Sequence, residues 1–351
     1  MEMFRTYDGR VSLTSDTWTS TYREPFVCVT AHWIDDDWLL QKRIICFETM
    51  EEAHNGFNIK TRIVSCCKNF HLVDKLFSIS LDNAMANKSA MKFLKEDPSI
   101  KLVLNGSLMH VLRLSLFGIF KHKCDEYGLR NKVIALDTPT RWNSTYKLLH
   151  DAIAYPKIVH DVLETFDNAT HIFSYVYEPN IHMVILECIK IIFTIKQTSL
   201  ANPGPSIKRL LDNVKVKWCA YFAEYPPIYV IVAILDPSVK LEESLCEDYG
   251  AVIQLQPVRS SMDGLASSSP SSLNIVIGEY LTYQFETEEN FHIIQWWKNH
   301  SSKFPVLARI AKYILAIPAS TIASKSAFSA GRRVLDEKRS RLSSKSIEMC
   351  I

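Results

Sequence analysis

The sequence predicts an α/β fold in which a mixed sheet carries a large helical insertion and is completed by a mainly helical C-terminal part. Three observations predict it. Between Arg10 and Phe47, short β-branched and aromatic runs are broken by turn residues. From about Leu102 to Leu235 the apolar residues recur at helical spacing instead. After a stretch rich in Ser and Pro, helical spacing returns near the end of the chain.

Taken in order, Val11–Asp16, Pro25–Ile34 and Trp38–Phe47 read as strands, the last two separated by Asp35-Asp36-Asp37. Such a succession is an antiparallel meander with a tight turn. Leu76–Leu81 is a further strand that ends at Asp82-Asn83, and a helix is expected over Ala84–Lys95. Strand, acidic residue and helix in that order make a usable site geometry. Tyr146–Phe166 and His182–Thr198 are the clearest amphipathic stretches of the insertion. Pro257–Leu273 has a linker's composition, and Phe291–Lys298 and Phe304–Pro318 then show helical period. The expected organisation is 1–101 for the first part of the sheet core, 102–256 for the insertion, 257–274 for the linker and 275–351 for a region that completes the core. No internal repeat is evident.

The 351 residues, 47% hydrophobic and 22% charged, suffice to bury a sizeable core in two or three packed units. Forty basic against thirty-eight acidic residues leave a net charge of +2, so any nucleic-acid surface must be a local patch. Nine cysteines without Cys-x-x-Cys spacing point to free thiols in a reducing compartment, and the vicinal Cys66-Cys67 has no second pair with which to hold zinc. There is no secretory signal and no apolar run of roughly 20 residues, so no membrane role is expected.

Three blocks carry the chemistry. The first is Leu13-Thr-Ser-Asp-Thr-Trp-Thr-Ser20, followed by Val29-Thr-Ala-His-Trp-Ile-Asp35 and Leu40-Gln-Lys-Arg-Ile44; the second is Leu81-Asp-Asn-Ala84. The third is Ile317-Pro-Ala-Ser-Thr-Ile-Ala-Ser-Lys-Ser-Ala-Phe-Ser-Ala-Gly331 with its extension to Leu342. In content and order they resemble hAT-superfamily transposases, especially the ricesleeper-like plant branch, over nearly the whole chain. The resemblance implies an RNase H-like fold in which Asp16 and Asp82 stand at metal-ligand positions, with Mg2+ or Mn2+ as the family's cation. Phosphodiester chemistry needs such ions to activate the nucleophile and stabilise the leaving oxygen, and hard cations take carboxylate oxygens from rigid elements.

At Lys325 this chain departs from the family, which has a catalytic glutamate there. The local charge changes by two units, and an ammonium about 4 Å from a bound cation costs on the order of several kcal/mol at an effective dielectric of about 20. Asp336 and Glu337 lie about three helical turns further on, too far to replace the lost carboxylate. Other departures are Ser107 for the cysteine of a Cys-x-x-His pattern that keeps His110, Lys88 after Asn87, and Arg332 in place of a glycine.

The motif Asp137-Thr-Pro-Thr-Arg-Trp-Asn-Ser-Thr-Tyr146 matches a family signature. It implies that Trp142 lies near the active site, where it could stack on an unpaired base; as a core residue it would anchor the insertion instead. Arg141 could neutralise a phosphate or pair with a carboxylate. Arg332, Arg333, Lys338, Arg339 and Arg341 form the densest basic cluster, with a phosphate-contacting role or a solvated helix face as its two readings. Trp296, Trp297, Phe304, Leu307 and Ile310 are expected as anchors of self-association in a region resembling the hAT C-terminal dimerisation region, with closure of this unit's own core as the other reading.

These readings lead to an expected function: a degenerate or domesticated hAT transposase-like protein of the nucleus that binds DNA weakly or non-specifically, self-associates and does not cut strands. No retained cofactor and no small-molecule substrate are expected, and the family's BED-type zinc finger is not seen in the chain. One alternative is an active cation-dependent transposase using Asp16 and Asp82. The other is an interaction protein with no DNA role.

Overall fold

The computed structural model describes residues 3–19, 25–50, 55–82, 84–100 and 108–109, most of 164–201, parts of 208–238, and 277–283, 285 and 291–334. Val11–Thr19 (β1), Pro25–Ile34 (β2), Leu40–Thr49 (β3), Leu76–Leu81 (β4) and Leu108–Met109 (β5) form one mixed sheet in the order β3-β2-β1-β4-β5. The first three strands are an antiparallel meander, while β4 runs parallel to β1 and β5 parallel to β4. Around it stand the short Met3–Thr6 (α1), then Gly56–Asn69 (α2), Met85–Glu96 (α3), Met183–Leu200 (α4), Ile228–Ile234 (α5), Ile293–Asn299 (α6), Pro305–Leu315 (α7) and Ile322–Val334 (α8).

The acidic run between β2 and β3 acts as the expected turn. Asp35 accepts hydrogen bonds from the Asp37 and Leu39 amides at 3.1 and 2.9 Å and from the Gln41 side chain at 2.6 Å. Trp38 takes a positive φ of 64°, so β3 starts at Leu40 rather than at Trp38. β1 runs on to Thr19, which places Asp16 inside the strand rather than at its end.

Parallel neighbours need crossovers. α2 lies between β3 and β4 and α3 follows β4. α2 falls where the sequence predicts no element. Its buried Ile59, Ile63, Cys66 and Cys67 do recur at helical spacing, and Asn55 caps it by accepting from the Asn58 amide at 2.9 Å. The two helices touch closely at Gly56, where a Cβ would lie 2.5 Å from Ser89 Cβ and 2.6 Å from the Ala90 amide nitrogen. Hydrogen at this position is therefore a packing requirement.

Alternation along the strands divides the sheet into two unlike faces. Val11 and Leu13, Val27, Val29 and Ala31, and Ile79 and Leu81 are buried in one apolar cluster with Ile59 and Ile63 of α2 and Leu94 of α3. Between them along the same strands, Ser12, Thr14, Asp16, Thr30, His32, Ser78 and Ser80 are buried polar residues. Ser78 donates to Ser12 at 3.0 Å. α8 closes over this polar side.

A second large apolar cluster joins α4–α7 to the sheet through Ile34 and Phe77. Trp297 is fully buried in it, donating Nε1–H to the Leu235 carbonyl at 2.9 Å and stacking with Tyr280 at 5.4 Å. Pro305 sits in the first turn of α7, where its missing amide hydrogen costs nothing. The described cysteines, Cys28, Cys46, Cys66, Cys67 and Cys188, are buried free thiols, and burial pushes those of Cys28 and Cys67 up to about 12. Among the described residues no helix is long and apolar enough to cross a membrane.

Candidate functional site

The polar face of the sheet and the last helix build one site from residues more than 300 positions apart. In the parallel pair, Thr14 is opposite Ser80, so two residues further along each chain Asp16, inside β1, and Asp82, just past the end of β4, follow on the same face. Both are buried, at 6% and 7% exposure. The Asp16 Oδ1 accepts from the Thr17 amide at 2.8 Å. Asp82 Oδ1 accepts from the Ala84 amide at 2.9 Å and from the Asn87 side chain at 2.7 Å, which ties it to the start of α3.

Lys325, on α8, reaches into this place. Its ammonium lies 3.7 Å from Asp16 Oδ2, with the lysine side chain about one third exposed and the aspartate nearly covered. The cation therefore faces the carboxylate that the resemblance makes a metal ligand. Its neighbour Ser324, fully buried, is 2.8 Å from Thr14 and donates to Thr30 at 3.4 Å. Thr14 is also 3.1 Å from His32 Nε2. One hydroxyl carries one proton, so the contacts are satisfied together when His32 Nε2–H donates to Thr14, Thr14 to Ser324 and Ser324 to Thr30. That arrangement uses a neutral imidazole, and burial, helped by the Lys42 charge, lowers the His32 pKa to about 3.

One residue further on, Ser326 accepts from the Lys42 ammonium at 3.3 Å. Lys42 also lies 5.5 Å from the Tyr177 ring centre, and burial lowers its pKa. Beyond it, Phe328 stacks on Trp18 at 5.7 Å and contacts Phe47, so the helix ends its docking on an apolar patch. The start of α8 is fixed as firmly. Asn180, 2% exposed, donates to the Phe173 and Tyr175 carbonyls and accepts from the Ala319 amide at 3.0 Å, while Ser320 donates to the Phe173 carbonyl at 2.7 Å. These bonds stitch the segment before α4 to the residues leading into α8.

Of the residues singled out by sequence, Asp16, Asp82 and Lys325 are thus drawn to one end of the polar face. Arg332 and Arg333 lie in the last turns of α8. Lys88 is on the exposed side of α3. Arg141, Trp142, Lys338, Arg339 and Arg341, together with His110, Asp336, Glu337 and the Ser/Pro-rich linker, lie outside the described residues. Thr14, Thr30, His32, Lys42, Asn180 and Ser324 were not singled out. Ser and Thr alternating with apolar residues mark any half-buried strand, and only the contact with α8 distinguishes these.

The five expected anchors of self-association follow the core reading. Trp296, Trp297, Phe304, Leu307 and Ile310 are 0–6% exposed, and all belong to the chain's own apolar cluster. Side chains so covered have almost no surface left for a partner. Aromatic and aliphatic residues at helical spacing look the same in a core and at an interface, which is why the sequence does not separate the two.

The donor set at the site is two carboxylates and an ammonium. Among the described residues, no group of three His, Cys, Asp or Glu is placed to hold a metal ion.

Comparison with known proteins places these features. Residues 14–108 match the ZBED1 RNase-like domain, residues 117–178 the ZBED1 RNase-like helical domain, and residues 276–351 the hAT family C-terminal dimerisation region. The chain is 28% identical to an AC transposase of Zea mays, with 98% of this chain and 56% of the relative covered. It is 24% identical to zinc finger BED domain-containing protein RICESLEEPER 2 of Oryza sativa subsp. japonica, covering 100% and 65%, and 22% identical to DAYSLEEPER of Arabidopsis thaliana, covering 98% and 63%. The chain thus spans less than two thirds of the length of these relatives. The maize match runs over 458 residues against the 351 of this chain, so at least a hundred positions of the relative inside the matched span have no counterpart here.

Proposed function

We infer that this chain, a relative of the hAT transposases with their RNase-like core and C-terminal dimerisation region, associates with itself and with DNA in the nucleus and does not cut strands. One observation carries the reading: the Lys325 ammonium lies 3.7 Å from Asp16, on the helix where the resemblance implies a third carboxylate. In the cation-dependent hydrolysis or transfer of a phosphodiester, ions held by carboxylates coordinate the attacking and leaving oxygens and stabilise their negative charge. A lysine among them neutralises one ligand and repels the ion.

DNA association is supported by the relatives' names and by the basic run Arg332, Arg333, Lys338, Arg339 and Arg341, which would contact phosphates without reading bases. Binding is accordingly weak, and its logarithm falls steeply with the logarithm of salt concentration. Self-association is supported by the match of residues 276–351 to the dimerisation region, through surfaces other than the five buried side chains. Sedimentation of the full chain at increasing concentration should show the dimer.

The test of function is a strand-cleavage assay on supercoiled DNA with Mg2+ or Mn2+, beside a salt-dependent retention assay. The expected result is retention that weakens with salt and no nicking above a protein-free control. Cation-dependent nicking that disappears in Asp16→Asn would overturn the reading in favour of an active transposase. Salt-independent absence of retention would leave an interaction protein instead.

A further inference from the structure

We propose that Lys325 is a tethered cation that takes over the electrostatic place of a divalent metal ion, so that the final helix docks on the sheet without any ion. The proposal deepens the reading above at the same site. It rests on that reading only for the correspondence of Asp16, Asp82 and residue 325.

A site with converging carboxylates and no cation is self-repelling, and the elements that carry the carboxylates are held together only by other contacts. Here one carboxylate is met by an ammonium on the opposing element, at 3.7 Å. The contact joins β1 to α8, and those two elements also meet through Thr14 and Ser324 and through Trp18 and Phe328. The ion pair lies between these contacts along the helix. Asp16 is 7% exposed at its side chain and Lys325 34%, so the carboxylate is desolvated while the lysine still touches solvent. A nearly buried carboxylate needs a counter-charge more than an exposed one does, and α8 supplies it from its own side chain.

The second cation of this surface, Lys42, is directed at the same helix and bonds Ser326, the residue after Lys325. Asp82 is satisfied on its own side by the Ala84 amide and Asn87. A divalent ion entering here would meet the Lys325 ammonium beside Asp16 and only two carboxylates, with the Lys42 ammonium one helix position further on. The residues present do not fit one. The site's chemistry has been converted from ligand set to internal clasp, and the fold of the whole chain is independent of divalent metal.

Thermal unfolding of the full chain and three variants, each with a chelator and with Mn2+, tests this. The unaltered protein should show the same midpoint in both conditions. Lys325→Met removes the charge and keeps the stem, and it should lower the midpoint by roughly 3–6 °C with no response to Mn2+. Lys325→Glu should fall further in chelator and recover a large part of the loss in Mn2+. Lys325→Glu with Asp16→Asn should lose that recovery. A Mn2+-induced rise in the unaltered protein would overturn the proposal, as would a Lys325→Met midpoint equal to that of the unaltered chain. Should Lys325→Glu fail to fold, these two results still decide the matter. Loss of DNA retention, by contrast, would count against the functional reading and leave the clasp untouched.

Discussion

At the scale of single residues, the polar face shows how a buried proton acceptor becomes a stability element. His32 is 3% exposed and shares its Nε2 with Thr14, so the native chain keeps the imidazole neutral down to about pH 3. Unfolded, a histidine titrates near 6.5. Below that value the unfolded chain takes up a proton that the native chain refuses. The contribution of His32 to stability is complete above pH 6.5 and declines as pH falls toward 3, by up to about 1.4 kcal/mol per pH unit. In His32→Gln, whose amide can still donate to Thr14, the decline of stability between pH 6.5 and 4 should be shallower by about that slope in urea denaturation. An unchanged slope would show that the ring is already protonated in the native state. Nothing in the sequence around Val29-Thr-Ala-His-Trp33 signals this; alternation gives the face, but the pairing with Thr14, which in turn meets Ser324 from the far end of the chain, does not show in it.

At the scale of elements, the strands of the meander and the helix α3 were legible because period and punctuation coincide: β2 has the expected bounds, Pro25–Ile34, and β4 has Leu76–Leu81. α2 was not, since a polar residue lies between most of its apolar ones, and β5, two residues long and paired to β4, is too short for a period to show. α6 and α7 were legible as helices but not in their role. Their aromatic residues form a core with Tyr280 and Leu235 rather than an exposed patch. Trp297→Ala should therefore cost about 3–5 kcal/mol of stability in urea denaturation, since it empties a fully buried site and leaves the Leu235 carbonyl without its donor. A variant of native stability that is only monomeric would return Trp297 to the interface.

At the scale of the whole molecule, the chain is a sheet whose one face is filled by local crossover helices and whose other face waits for a helix encoded at the far end. The contacts that bring α8 there include hydroxyls and charges, with Ala327 and Phe328 supplying an apolar patch. Such a joint holds only when every group finds its partner. Lys325 is part of that joint through its ion pair with Asp16. The three blocks of sequence that carry the resemblance single out Asp16, Asp82 and Lys325, of which the structure pairs Asp16 with Lys325. They were not sufficient to foresee an ion pair, because pairing depends on how far α8 slides along β1, and that is set by Ser324, Asn180 and Ser320. The central claim is that an ammonium has replaced the metal, and calorimetric titration of Mn2+ into the unaltered full chain tests it most directly. The account predicts no saturable heat at millimolar ion; a one-site isotherm in the micromolar range that vanishes in Asp16→Asn would contradict it.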